Sequence, residues 1–373
     1  MKKSQYLLIS AVFVVVFFYG LSVGVYKIFP YELLDSSNDA LFGQKTIENN
    51  QFVNQSDMDS LIKIDNKSDI DQKRNFLTEF FWNVGSLQSL EDKLQLPEVE
   101  SDISDSRYNN FQNLLRIDRL IVEMEYGINS VSYLFIPEQS NEKLILYHQG
   151  HGGDFILGKN TIQFFLDRNF TVLASTMPLV GMNNQPVVEI DGLGKMKLIS
   201  HDQLSLLETN NFNPMKLFLD PIRFNLNFLD KEYDFKQYSM IGISGGGWTA
   251  VVYSAIDDRI SDSFSVAGSM PFYLRVNDRD IGDYEQTNID LYEVTNYLEL
   301  YVLSAYGEKK HIQIFNKNDP CCFSGNGYET YEFVIKDKIS QLGKGNFQIF
   351  IDDTHNEHKI SDTALEHIAK NIG

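Results

Sequence analysis

The sequence predicts an α/β fold, a mainly parallel central sheet flanked by helices, with an N-terminal transmembrane helix and a small cap insertion. Three observations predict it. Short, dense apolar runs recur through the last two-thirds of the chain, helical patterns lie between most of them, and a glycine-serine turn joins one such run to a helix. With 373 residues, 43% of them hydrophobic and 13% aromatic, the chain can bury a large core.

The chain opens on Met1-Lys2-Lys3, followed by "YLLISAVFVVVFFYGLSVGVY", residues 6–26, without a charge. That run is long enough to span a bilayer as a helix. The lysines before it, and Glu32, Asp35 and Asp39 after Lys27, put the N-terminus in the cytoplasm and the body outside. A cleavable signal peptide is the competing reading, since Ser22 and Gly24 offer small residues at a cleavage site. Residues 1–30 are therefore read as a signal-anchor. Residues 31–106, rich in Asn, Asp, Ser and Gln, are read as a polar acidic tether, with the apolar cluster at 75–87 as a helix docked on the body.

From residue 107 to 373 the texture becomes regular. "RLIVEMEY" and "SVSYLFIP" alternate apolar and polar residues around Gly127-Ile128-Asn129, as a hairpin does. "KLILYH", "FTVLASTM", "YSMIGI", "DSFSVAG", "HIQIF" and "FQIFI" suit strands buried on both faces. "GKNTIQFFLDRN", "GGWTAVVYSAID", "YETYEFVIKDKISQLG" and "SDTALEHIAKNI" read as the helices that cover them. Residues 270–306 interrupt the alternation after a strand end, so they are read as a cap or substrate-binding insertion over the site.

The turn "IGISGGGW" puts Ser244 between Gly242 and Gly246. A phosphate loop needs a lysine after its glycines, and Trp248 and Thr249 stand there instead. A serine on a tight strand-to-helix turn fits, because small neighbours leave room for a strained residue with its hydroxyl pushed out. Such a serine needs a base, and the base needs a carboxylate. Asp319 follows the strand "HIQIF"; His355 and His358 follow "FQIFI". Asp352 and Asp353 are rival acids beside the histidines.

The order Ser244, Asp319, His358 on strand ends resembles the α/β-hydrolase superfamily. "YHQGHGGD" resembles its glycine-rich oxyanion turn, although Gln149 intrudes between His148 and Gly150. Asp319-Pro320 resembles its acid turn, with Asn316 where glycine is usual, and His358-Lys359-Ile360-Ser361 resembles the histidine ending of carboxylesterase-type members. The resemblance covers roughly two-thirds of the chain. It implies Ser244 as nucleophile, His358 as base with His355 as the alternative, Asp319 as orienting acid, and an oxyanion hole from the backbone N–H of Gly245 with His151 or Gly152. The hairpin, the glycine turn and the single insertion look closer to dienelactone hydrolases and acetyl xylan esterases than to long-chain lipases.

The implied activity is a serine hydrolase cleaving carboxylic esters, with short acyl groups on a small-molecule or saccharide substrate. A peptidase or acyltransferase with the same triad, and a non-catalytic surface protein retaining the fold, stay open. Asp283 and Glu285 in "GDYEQ" are candidate substrate contacts or a solvated acidic loop, and Met177 is a candidate pocket residue. His201 and His311 read as structural.

No metal-ligand constellation stands out, and serine chemistry requires no cofactor. The two cysteines, Cys321 and Cys322, are adjacent, which excludes zinc-finger spacing and a disulfide framework. A net charge of -19 repels phosphate backbones, so no nucleic-acid partner is expected; residues 31–110 carry 16 acidic against 7 basic groups. The membrane is the expected partner of the N-terminal helix, and nothing in the sequence fixes an oligomeric state.

Overall fold

Residues 13–14, 16–20, 55–86, 88–91, 95–276 and 280–373 are described by a computed structural model, in two units, Met1–Phe52 and Val53–Gly373. In the first, residues 13–14 and 16–20 are helical. The rest of the expected membrane-spanning run 6–26, and the tether up to residue 54, lie outside the described residues. Among the described residues no helix is long and apolar enough to cross a membrane.

The strands of the second unit are β1 (Glu98–Glu100), β2 (Leu114–Glu123), β3 (Asn129–Pro137), β4 (Lys143–Gln149), β5 (Thr171–Thr176), β6 (Val187–Ile190), β7 (Gly194–Lys197), β8 (Gln237–Ile243), β9 (Ile260–Val266), β10 (Lys310–Asn316) and β11 (Asn346–Asp352). Nine of them form one sheet in the order β1-β2-β3-β5-β4-β8-β9-β10-β11, while β6 and β7 pair as a separate hairpin. Strands β5, β4, β8, β9, β10 and β11 run parallel to one another; β1, β2 and β3 pair antiparallel, and β3 is antiparallel to β5 as well. The β2–β3 turn holds Tyr126 and Gly127 at positive φ, as a tight hairpin connection requires.

Period-two alternation sorts the sheet's side chains into two cores. Leu144 and Leu146 of β4 and Met240 of β8 belong to one; Ile145, Tyr147 and Ile241 belong to the other. Because both faces are covered, these strands read as unbroken apolar runs.

The helices are α1 (Gln55–Leu61), α2 (Lys67–Trp82), α3 (Gln88–Glu91), α4 (Lys159–Leu166), α5 (Asp220–Glu232), α6 (Gly245–Ile256), α7 (Tyr284–Thr287), α8 (Ile289–Val294), α9 (Tyr297–Ala305), α10 (Glu332–Leu342) and α11 (Asp362–Asn371). Helix α6, buried along its whole length, packs on β8, β9 and α9.

Two expectations are corrected here. Residues 55–106 are no tether: Met58, Ile62, Ile64, Ile70, Leu77 and Phe81 are buried in the core shared with α6 and α9, and β1 joins the sheet. The docked helix spans Lys67–Trp82 rather than 75–87. Its start is set by Asn66, whose side chain accepts from the Ser68 and Asp69 N–H groups while Asp69 returns the bond. Lys73 reaches Glu299 at 2.8 Å, and the Trp82 indole donates to Asp220 at 2.8 Å. Before residue 76 the apolar residues that dock this segment, Met58, Ile62, Ile64 and Ile70, are spaced among polar ones, which gives it the composition of a linker.

The insertion is also shorter than 270–306. Helix α9 is buried throughout and carries the chain from β9 to β10 as a sheet-covering crossover. The part outside that frame runs to residue 296, with α7 and α8, and α8 packs on α2. Burial of α2 predicts that Phe81→Ala destabilises the protein by about 3–5 kcal/mol in chemical denaturation. A change near zero would return residues 67–82 to the status of a loose appendage.

Candidate active site

Ser244 ends β8 and begins α6 with φ 57° and ψ −129°, a conformation that a non-glycine residue holds only under strain. Its N–H is fixed to the Val266 carbonyl at 2.9 Å. The neighbouring glycines answer different needs. A Cβ on Gly242 would overlap the Gly246 carbonyl, and one on Gly246 would overlap the His148 carbonyl. Gly247 meets Gly268 so closely that a Cβ would come within 2.8 Å of its Cα, so α6 can lie against the end of β9 only with glycine at both positions. As first residue of α6, Gly245 has no intrahelical acceptor for its N–H.

Asp319 lies three residues past β10 with its side chain fully buried, and His358 follows β11. His358 Nδ1 is 2.8 Å from Asp319 Oδ2. A carboxylate only accepts, so Nδ1 carries the proton and Nε2 presents its lone pair. Burial works to lower the His358 pKa, but the hydrogen bond and charge of Asp319 outweigh it, and the net direction is upward. Asn316 donates to Asp319 Oδ2 at 3.1 Å and to the Lys359 carbonyl at 3.0 Å, tying the acid loop to the histidine loop. The Cys321 N–H donates to Asp319 Oδ1 at 2.8 Å. Asn316 is thus a positioning residue, read from the sequence only as a departure from glycine.

His355 is not paired with Asp319. Its Nδ1 accepts the Glu357 N–H, and its Nε2 stands 3.3 Å from Asp352. Asp352 is engaged by Ser361, the N-cap of α11, and by Thr354; Asp353 faces Lys317 at the surface. Cys321 and Cys322 are free thiols close to His358. A hydrogen bond from Cys322 is the chief cause that lowers Cys321 to about 7.

The turn after β4 comes close to Ser244 at Gly150, where a Cβ would lie 2.6 Å from Ser244 Cβ, a role that its place in the glycine-rich motif does not reveal. The His151 ring covers Gly245, and Gly152 lines a cavity of about 290 Å³ together with Ser244, His358, Tyr147, Gln149 and Ile360. Met177 does not line that cavity. It is fully buried behind Gly245, its sulfur 3.6 Å from the Thr249 hydroxyl.

Nor do Asp283 and Glu285 form a solvated acidic loop. Glu285 is 0% exposed, and both carboxylates reach His151 Nε2, at 2.8 and 2.9 Å. His201 lies beside them, 3.1 Å from Glu285. Burial opposes charge on His151, and the two carboxylates overcome it, lifting the imidazole to about 10. Sequence spacing gave no sign of this cluster, because residues 151, 201, 283 and 285 meet only in the folded chain.

No protein-family model and no curated protein sequence matches the chain. Solved structures do. The acetyl xylan esterase from Paenibacillus sp. R4 superposes with a TM-score of 0.54 at 13% identity, over 85% of this chain and 98% of that one. Acetyl xylan esterase 1 from Thermoanaerobacterium sp. JW/SL YS485 gives 0.53 at 14% identity, over 86% and 98%. The mostly parallel sheet, the helices on both its faces and the strand–serine–helix turn agree with these likenesses: the chain has the α/β-hydrolase fold.

Proposed function

We propose that the protein is a serine hydrolase of carboxylic esters. One observation carries the reading: Ser244, held at φ 57°, lines the same cavity as His358, whose Nδ1 is held 2.8 Å from buried Asp319. Ser244 Oγ attacks the ester carbonyl as His358 Nε2 takes its proton, and Asp319 stabilises the imidazolium. Negative charge on the former carbonyl oxygen is held by the N–H groups of Gly245 and His151, with Gly152 beside them. The tetrahedral adduct collapses, His358 returns the proton to the leaving alkoxide, and an acyl-Ser244 remains. Water then repeats the sequence and frees the acid.

A cavity of about 290 Å³ lies at the low end for small-molecule sites. Its size favours short acyl groups, and the acetyl xylan esterases that share the fold make a saccharide ester the reading to test first. We further infer that residues 6–26 anchor the protein with this domain outside the cytoplasm, because two lysines precede the run and acids follow it. In intact cells, added protease should digest the domain; full protection would reverse the topology.

Fluorophosphonate probes should label the wild type and not Ser244→Ala, and acetyl esters should be turned over faster than decanoyl esters. His358→Ala should lose about 10³-fold or more of kcat, while His355→Ala keeps most of it. Equal labelling of Ser244→Ala, or loss in His355→Ala alone, would overturn the assignment.

The base must be neutral to accept a proton, so activity rises with pH through its pKa. Asp319 holds that pKa above the ordinary imidazole value, so the limb of kcat/KM should lie above about 6.5. Asp319→Asn should move the limb downward and cut kcat steeply; an unmoved limb would exclude His358 as the titrating group.

A further inference from the structure

His151, His201, Asp283 and Glu285 each bring one nitrogen or carboxylate oxygen to a point where all four lie within 4.8 Å of one another. They come from the turn after β4, the short helical segment His201–Leu207 after the β6–β7 hairpin, and the insertion at the start of α7. We propose that these four side chains bind one divalent transition-metal ion of the zinc class, which clasps the insertion to the oxyanion turn.

The hydrogen-bond bookkeeping argues for a cation. His201 Nε2 lies 2.8 Å from the Pro178 carbonyl, which only accepts, so Nε2 carries the proton and a neutral ring turns its Nδ1 lone pair inward. That nitrogen meets Glu285 Oε2 at 3.1 Å and His151 Nε2 at 3.1 Å. His151 Nε2 also faces Asp283 Oδ2 at 2.8 Å and Glu285 Oε1 at 2.9 Å, and one N–H cannot be directed at three acceptors. Glu285 Oε1 is buried with no hydrogen-bond partner despite that short distance, because the contact lacks hydrogen-bond direction. A buried carboxylate oxygen left so is costly, and a dication satisfies it together with every converging lone pair.

The donor set selects the ion. Two imidazoles and two carboxylates suit zinc and its neighbours better than calcium or magnesium, which prefer all-oxygen shells. Tetrahedral bonds of about 2.0–2.1 Å set ligand atoms about 3.3 Å apart, against 2.8–3.1 Å for the contacts His151 and His201 make here and 4.8 Å as the bound on every pair. The His201 N–H bond to a backbone carbonyl is the outer contact that metal-bound histidines commonly make. Two carboxylate charges match a divalent ion. The expectation of no metal constellation rested on sequence spacing alone, and this inference stands whether or not Ser244 is a nucleophile.

The test uses the purified full chain, stripped with a chelator and titrated with Zn²⁺ by calorimetry, with Ca²⁺ and Mg²⁺ as competitors and unfolding temperature as second readout. One zinc per chain should bind, raise the unfolding temperature and resist calcium and magnesium. His201→Ala and Glu285→Gln should weaken binding at least about 10-fold. Asp283→Asn, whose side chain is half exposed and so tolerates exchange, should weaken it as well while circular dichroism is unchanged. Cys321→Ser with Cys322→Ser should bind zinc as the wild type does. Absence of saturable binding, which would leave a His151 imidazolium between two carboxylates, would overturn the proposal. So would wild-type binding by a folded Asp283→Asn, or binding lost in the cysteine variant.

Discussion

The molecule is organised around the sharp reversal at Ser244, where strand β8 becomes helix α6. A serine at φ 57° costs of order 1–3 kcal/mol, and it persists only because its surroundings leave no alternative. Gly242, Gly246 and Gly247 let the backbone pass itself, the His148 carbonyl and Gly268 at distances no side chain allows. Helix α6 is buried from end to end, so relaxing the turn would mean moving a helix out of the core. The strained serine is held by the sheet and core rather than by its own local preference.

Around that fixed point the other groups arrive by ordinary sheet logic. Parallel strands end on the same edge, so loops after β4, β8, β10 and β11 gather there. Asn316 then narrows the gap between two of those loops by bonding both Asp319 and the Lys359 carbonyl. The buried carboxylate is stabilised by directed N–H donors and an imidazole, which is what a buried charge requires. The insertion reaches the glycine turn through Asp283, Glu285 and His151. The glycine turn after β4 is therefore coupled to the insertion, and the Asp319–His358 pair to the strand ends.

Most of the sheet was legible in the sequence, because strands covered on both faces carry unbroken apolar runs. The strand ends that carry Ser244, Asp319 and His358 were legible too, because each follows a dense apolar run; the 2.8 Å pairing of His358 with Asp319 is the contact the structure adds. Helix α2 was legible only in its C-terminal half, where Phe76, Leu77, Phe80, Phe81 and Trp82 cluster; its first half, Lys67–Arg74, carries Ile70 alone among polar residues and reveals its buried face only when docked. Helix α9 reads in sequence as part of the cap, because a crossover helix after a long loop leaves no local mark that separates it from an insertion. The roles of Gly247 and Gly150 depend on close approaches to Gly268 and Ser244, distant in sequence. The four-residue cluster at His151 was invisible for the same reason.

The central claim is that Ser244 becomes acylated. The most direct measurement mixes the protein with excess acetyl ester, quenches within the first turnover, and locates the added acetyl group by mass spectrometry. The account predicts one acetyl group on the peptide containing Ser244, forming with a burst of released alcohol and disappearing as substrate is exhausted. Hydrolysis that proceeds with no acetyl on Ser244 while the group accumulates on Cys321 or elsewhere would contradict it.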